Sequence, residues 1–172
     1  MNSALQCMQH TRGLSQYFVD KLYREEINEE NPIGSHGKLV RSYAKFIDSV
    51  LTTENEVFAP SKLKYTIGKT KEMFSGYEQH DSQEFLLFML DTLHEDLNRV
   101  KKKPYTNSID SDGRPDDIVA KESWFNYLKR NQSIINDLMG GQYRSEVKCP
   151  DCNNISVTFD PFLIYSVPIP TN

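Results

Sequence analysis

The chain has 172 residues, of which 38% are hydrophobic, 26% charged and 11% aromatic, with a formal net charge of −4. This balance excludes a disordered chain and a collagen-like repeat, and the length allows a core without disulfide staples. No apolar run nears the ~20 residues of a membrane span, and the opening MNSALQCMQH lacks the basic-then-apolar pattern of a signal peptide. With 20 basic against 24 acidic residues, the basic run is Lys101–Lys103, so neither nucleic acid nor a membrane is expected as a partner. Three cysteines, two of them in a C-x-x-C, suit a reducing compartment, cytoplasmic or nuclear, better than a secreted framework.

In chain order, 2–12 reads as a short helix capped by Asn2 or Ser3, with Leu5 and Met8 on one face. A helix starting without lead-in suggests an element that begins upstream of Met1. A second amphipathic piece covers 14–23, and the acidic, Gly- and Pro-bearing 25–37 is a loop. Residues 38–52 place Leu39, Val40, Tyr43, Phe46, Ile47, Val50 and Leu51 at helical spacing. Pro60 to Gly68 predicts a short helix with Pro in its first turn and Gly at its end. The longest apolar stripe, Phe85 to Val100, predicts a helix over 81–100, capped by Asp81, closed by Lys101–Lys103 and stopped by Pro104.

After the turn-rich 107–117, residues 119–130 read as a helix burying Trp124, Phe125 and Leu128, and 133–139 as a shorter one ended by Gly140-Gly141. Beyond Gly141 the period changes from helical to alternating. Two alternating runs, 143–148 and 155–160, flank CPDCNN and predict a β-hairpin with the cysteine pair at its tip. A third strand-like run covers 162–168.

Three groups of residues could carry chemistry. Cys149 and Cys152 on a tight turn can both ligate one Zn²⁺, but tetrahedral zinc needs four ligands, so this is half a site. Free surface thiols and a redox pair are the other readings, the last disfavoured by a strand–turn–strand setting. Asp81, Gln83 and Glu84 open the longest helix; they are capping residues, or polar groups facing a groove that takes an extended or arginine-rich peptide. Cys7 has His10 one helical turn away and reads as a small buried hydrophobe rather than a nucleophile.

MNSALQC, FSGYEQHDSQEFLLFMLDTLHEDLNR and the CPDC hairpin resemble the ubiquitin-specific protease family of deubiquitinases, from Met1 to the last residues. DGRPDD, LKRNQSIINDL and CPDCNNISVTFDPF are similar to the branch that often carries DUSP and ubiquitin-like domains. The resemblance implies an α+β class: part of a papain-like fold, a helical thumb over 1–140 and the first β-ribbon of the fingers over 141–172. It makes Cys149 and Cys152 two of four ligands to a structural zinc. It also turns the 79–85 segment, with His80 in place of the family's second Gln, into the box whose Asp81, Gln83 and Glu84 hold the ubiquitin tail.

The family's nucleophile motif, Asn-Thr-Cys-(Tyr/Phe)-Met-Asn-Ser, aligns from its Met onto Met1-Asn2-Ser3. The nucleophile then falls two positions before Met1, and no residue here matches the oxyanion Asn, the His box or the second C-x-x-C. The resemblance thus implies part of a ubiquitin carboxyl-terminal hydrolase, a cysteine-type enzyme inactive as this chain alone, with ubiquitin and ubiquitinated proteins as partners. The alternatives are a non-catalytic pseudo-deubiquitinase and a small zinc-ribbon scaffold.

Overall fold

A computed structural model describes residues 1–52 and 58–170. Residues 171–172, the end of the expected ribbon, lie outside the described residues. Among the described residues eight α-helices precede a two-stranded sheet: α1 Asn2–His10, α2 Arg12–Val19, α3 Tyr23–Glu26, α4 Lys38–Thr52, α5 Ser61–Thr70, α6 Ser82–Asp96, α7 Asp116–Leu128 and α8 Ile134–Met139, then β1 Gly141–Lys148 and β2 Ile155–Phe162. A 3₁₀ turn, Glu72–Phe74, follows α5. No described helix is long and apolar enough to cross a membrane.

The core lies where the apolar stripes of α1, α2, α4, α5 and α6 converge. Leu39, Val40, Tyr43 and Ile47 of α4 are buried against Phe85, Met89 and Leu93 of α6 and Leu14 and Phe18 of α2. The helical spacing read from the sequence supplies these faces directly. Each fully buried Leu, Ile or Phe stabilises the fold by about 1.5–3 kcal/mol relative to exposure.

Several expectations need correcting. The α1 N-cap is Met1, with no side-chain cap, and Asn2 is the first helical residue. Cys7 is exposed, because Ala4, Leu5 and Met8 form the buried stripe and Cys7 stands about a third of a turn from its centre. Gly68 lies inside α5 rather than ending it; a Cβ there would sit 2.8 Å from the Cα of Ser75, just past the 3₁₀ turn. In α7 only Val119 is buried, while Phe125 is 65% exposed and Trp124 and Leu128 are half-buried. That helix packs on β2 rather than on the main core, so a narrow face is enough.

Helix α6 ends at Asp96, four residues early. Tertiary partners capture the residues that would continue it. The Asn28 N–H donates to the Asp96 carbonyl at 2.8 Å, and the Arg99 N–H donates to the Gln132 carbonyl at 2.8 Å. The buried Asn98 side chain donates to the Arg130 carbonyl at 2.9 Å and accepts from the Gln132 N–H at 3.2 Å. Leu97 still reaches the core. Lys103 does not close a helix end; its Nζ folds back onto Glu95 at 2.8 Å.

The ribbon is antiparallel, in register from Gly141↔Phe162 to Lys148↔Ile155. Opposed residues share a face. Tyr143 and Val147 therefore lie with Asp160 and Ser156, whereas Val157 and Phe159 lie with Glu146 and Arg144. The second face turns to α7: Val157 is buried and Arg144 Nε reaches Asp116 at 2.6 Å. On the other face the Tyr143 and Phe162 rings stack at 4.2 Å. The run 162–168 does not form a third strand; regular pairing stops at Phe162. Two prolines in Val-Pro-Ile-Pro remove the N–H groups a ladder needs.

Candidate functional site

A cleft of about 890 Å³ opens between the N-terminal end of α1, the face of α5 and the start of α6. Met1, Asn2 and Leu5 line it from α1, Ile67 and Gly68 from α5, and Tyr77 and Phe85 from the segment entering α6. The structure thus brings the beginning of the chain beside the polar box that precedes α6, although some eighty residues separate them in sequence. The contact follows from apolar spacing: Leu5 and Met8 of α1 and Phe85 and Met89 of α6 belong to one buried cluster.

Asp81 caps α6. Its Oδ1 accepts the Gln83 N–H at 2.6 Å and the Glu84 N–H at 3.2 Å. Both bonds use Oδ1, so Oδ2 makes none among the described residues. Glu84 turns toward Lys71, with its carboxylate 3.7 Å from the ammonium. Asp81, Gln83 and Glu84 are all exposed on the first turn, just outside the cleft lining. Phe85, next in sequence, points the other way and packs edge-on against Phe74 at 5.3 Å. Alternation between an exposed polar turn and a buried phenylalanine fixes which groups a ligand can meet.

The segment before the box is held by a residue that sequence reading passed over. Lys64 Nζ donates to the carbonyls of Phe74 and Gly76, both at 2.5 Å, and lies 5.6 Å from the Tyr77 ring centroid. It ties α5 to the loop leading into Asp81. A lysine on an amphipathic helix carries no sequence signal for this role. His80 stands edge-on to Phe74 at 5.2 Å, and its Nε2 is buried without a hydrogen-bond partner among the described residues.

Cys7 does not form a catalytic pair with His10, whose Nδ1 lies 2.8 Å from the Gln6 carbonyl of its own helix. All three cysteines are free thiols.

Cys149 and Cys152 occupy the hairpin tip. The Cys149 N–H donates to the Asn154 carbonyl at 2.8 Å and the Asn153 N–H donates to the Cys149 carbonyl at 3.0 Å. Asn153 takes a left-handed φ of 57°, which asparagine tolerates better than most residues. The tight turn aims the N–H groups of Cys152 and Asp151 at the Cys149 sulfur, and these bonds hold its thiol below the usual range. Such a turn, with two sulfurs two residues apart, suits one edge of a tetrahedral metal site. Among the described residues no group of three or more His, Cys, Asp or Glu side chains could hold a metal.

Comparison with known proteins agrees with this geometry. The chain belongs to the ubiquitin carboxyl-terminal hydrolase family, whose model matches residues 1–162. The matched stretch is the N-terminal portion of the catalytic domain. It is 48% identical over 170 residues to human ubiquitin carboxyl-terminal hydrolase 15, covering 99% of this chain and 17% of that protein. It is also 48% identical to human ubiquitin carboxyl-terminal hydrolase 19, covering 99% of this chain and 13% of that protein. Among solved structures, it is similar to a chain of the SAGA DUB module bound to monoubiquitin, with a TM-score of 0.61 and 21% identity. That match covers 95% of this chain and 31% of the other, and it supports the partial papain-like deubiquitinase fold.

Proposed function

We propose that this chain provides the thumb and the first finger ribbon of a cysteine deubiquitinase, and that the whole protein hydrolyses the bond after the ubiquitin C-terminal glycine. The observation that carries this reading is the approach of two family features to one cleft: Met1 and Asn2 of the Met1-Asn2-Ser3 end line it, as does Phe85 of the Asp81–Phe85 box, whose exposed polar turn borders it. In the reaction proposed for the whole protein, a thiolate attacks the carbonyl, an imidazole shuttles the proton to the departing amine, and oriented N–H and amide groups hold the oxyanion.

The role assigned to this chain is to hold the ubiquitin tail. Asp81 Oδ2, which has no hydrogen-bond partner among the described residues, would take a donor on an extended peptide, with Gln83 and Glu84 beside it on the exposed turn. Titration of ¹⁵N-labelled chain with ubiquitin tests this. Asp81→Ser, which keeps a capping oxygen but removes the charge, is expected to weaken the shifts around the box without unfolding α6. Shifts unchanged in Asp81→Ser and Gln83→Ala would sink the assignment.

The 172-residue chain itself is expected to have no isopeptidase activity, because no residue of it matches the family's nucleophile Cys or His box, and His10, one turn from Cys7, is bonded within its own helix. Ubiquitin-AMC hydrolysis that disappears in Cys7→Ser would overturn this.

Cys149 and Cys152 would hold a structural Zn²⁺ together with two ligands from elsewhere. The ion would cross-link the tip of the ribbon. A thiol-rich site of this kind fits a reducing compartment, cytoplasm or nucleus. Zinc measured per chain is expected to be well below one equivalent after dialysis and to vanish in Cys149→Ser. Tight one-to-one binding by the monomer would contradict the half-site.

A further inference from the structure

His94 is a buried titratable group that the deubiquitinase reading does not use. It lies on α6, 6% exposed, where α6 meets α8. Its Nδ1 is 2.7 Å from Ser133 Oγ and its Nε2 is 3.4 Å from Asn131 Oδ1. Asn131 donates its amide N–H to the Tyr127 carbonyl, so its Oδ1 faces His94 as an acceptor. Nε2 therefore carries the hydrogen and Nδ1 is the bare nitrogen. Ser133 completes the chain: its hydroxyl donates to Nδ1 while Oγ accepts the Asn136 N–H at 3.2 Å. That last bond is the N-cap of α8.

Helix α8 has six residues and runs through Gly140 straight into β1. Trp124 of α7 lies over this joint, so that a Cβ on Gly140 would sit 3.0 Å from its ring. The imidazole, the α8 cap and the root of the ribbon are thus one connected structure. Asn136 Oδ1, in the same cluster, is buried without a partner among the described residues.

We propose that His94 is a proton-controlled latch: neutral, it holds the cap of α8 and the root of the ribbon against α6, and protonated, it releases them. Protonation at Nδ1 removes the acceptor of the Ser133 hydroxyl and turns the nitrogen into a donor. It also places a charge in a site with little access to water, which is costly unless the charge is paired. The charged groups around the ring supply that pairing only in part: Glu95 and Asp91 favour the imidazolium, but less than burial opposes it. Glu95 is already bonded to Lys103 and Asn31. Asp91 is itself pushed up by burial, the Lys103 ammonium repels an imidazolium, and Tyr127 is a neutral phenol pushed up by burial. Burial outweighs the two carboxylates and holds the His94 imidazole below its ordinary range. The cheaper response to acid is for the joint to open and hydrate the ring.

Hydrogen exchange of the full chain tests the latch. Between about pH 7.5 and 5.5, the range a histidine switch covers, protection at the Asn136, Asp137 and Gly140 amides is expected to fall about tenfold after correction for intrinsic rates. Met89 and Leu93 in α6 should keep theirs. The emission of Trp124, the one tryptophan of the chain, should shift over the same range. His94→Asn puts an amide oxygen in place of Nδ1 and is expected to stay protected at both pH values. Should that variant fail to fold, the ¹⁵N shifts of the wild-type imidazole decide: a neutral ring protonated on Nε2, titrating together with the loss of α8 protection, supports the latch. Protection in α8 that does not change with pH, or that falls equally in His94→Asn, overturns it.

Discussion

Asp96 and Ser35 are joined across the helical layer by two hydrogen bonds to one carboxylate. The Ser35 N–H donates to Oδ1 at 2.6 Å and the Ser35 hydroxyl to Oδ2 at 2.5 Å. Asp96 is fully buried. Ser35 Oγ in turn accepts the Leu39 N–H at 2.8 Å, so the last residue of α6 orients the group that caps α4. Asp96→Ala removes both bonds and leaves the serine hydroxyl without its acceptor. The expected loss is about 3 kcal/mol, or roughly 6–12 °C in Tm for a domain of this size. Thermal unfolding checks it, and a change within error would show that the pair carries little.

Tyr43 is buried in the centre of the core, and its hydroxyl has no hydrogen-bond partner among the described residues. Burial pushes its phenol well above the ordinary tyrosine range. An orphaned buried hydroxyl costs about 1–3 kcal/mol. Tyr43→Phe is therefore expected to leave stability unchanged or raise it by about 1 kcal/mol, against the usual direction of core substitutions. A denaturation midpoint that falls clearly would reveal a partner for the hydroxyl.

Gly68→Ala sets two effects against each other. In an exposed helix the change stabilises by about 1 kcal/mol. Here a Cβ would sit 2.8 Å from the Ser75 Cα and 3.1 Å from its Cβ. Backbone cannot swing aside as a side-chain tip can, so α5 must lift from the loop that Lys64 holds. A net loss of about 1–3 kcal/mol is expected, together with a changed NMR environment for Lys64 and Gly76. A rise in Tm would show that the loop gives way.

Glu95 carries an acid-sensitive part of the stability. Burial raises its pKa, but the bonds from Lys103 and Asn31 outweigh burial and hold the carboxyl below the usual glutamate range. Folding therefore favours the charged form. The stabilisation is complete above the ordinary glutamate value, about pH 4.3, and is lost as pH falls through the lower folded value. Lys103→Met should cost about 1 kcal/mol at neutral pH and flatten the stability curve in the acid window. Urea midpoints at several pH values check it, and parallel curves for wild type and variant would contradict it.

Local signals were readable where spacing alone decides. The stripes of α4 and α6, the Asp81 cap, the Ser133–Met139 turn and the two-stranded ribbon with the cysteine pair at its tip follow from periodicity and turn chemistry. The box and the start of the chain were legible as motifs, but their proximity was not, since no local pattern records that α1 packs on α6. Lys64 was missed because a lysine that pins a loop looks, in sequence, like any exposed lysine.

The sequence by itself determined the main helices and the ribbon, the apolar stripes of α4 and α6, the family and the place of Cys149 and Cys152 at the ribbon tip. Those properties depend on neighbours within a turn or two of the chain, or on motifs that survive without knowledge of contacts. The tertiary structure alone decided where α6 stops, which side of α1 carries Cys7, how little of α7 is buried and that His94 is enclosed by Ser133 and Asn131. Each of these turns on a partner tens of residues away: Asn28, Ser35 and Gln132 capture the end of α6, and Ser133 and Asn131 close over His94. A buried polar group must find a partner wherever the fold brings one, and that location is set by packing rather than by local spacing.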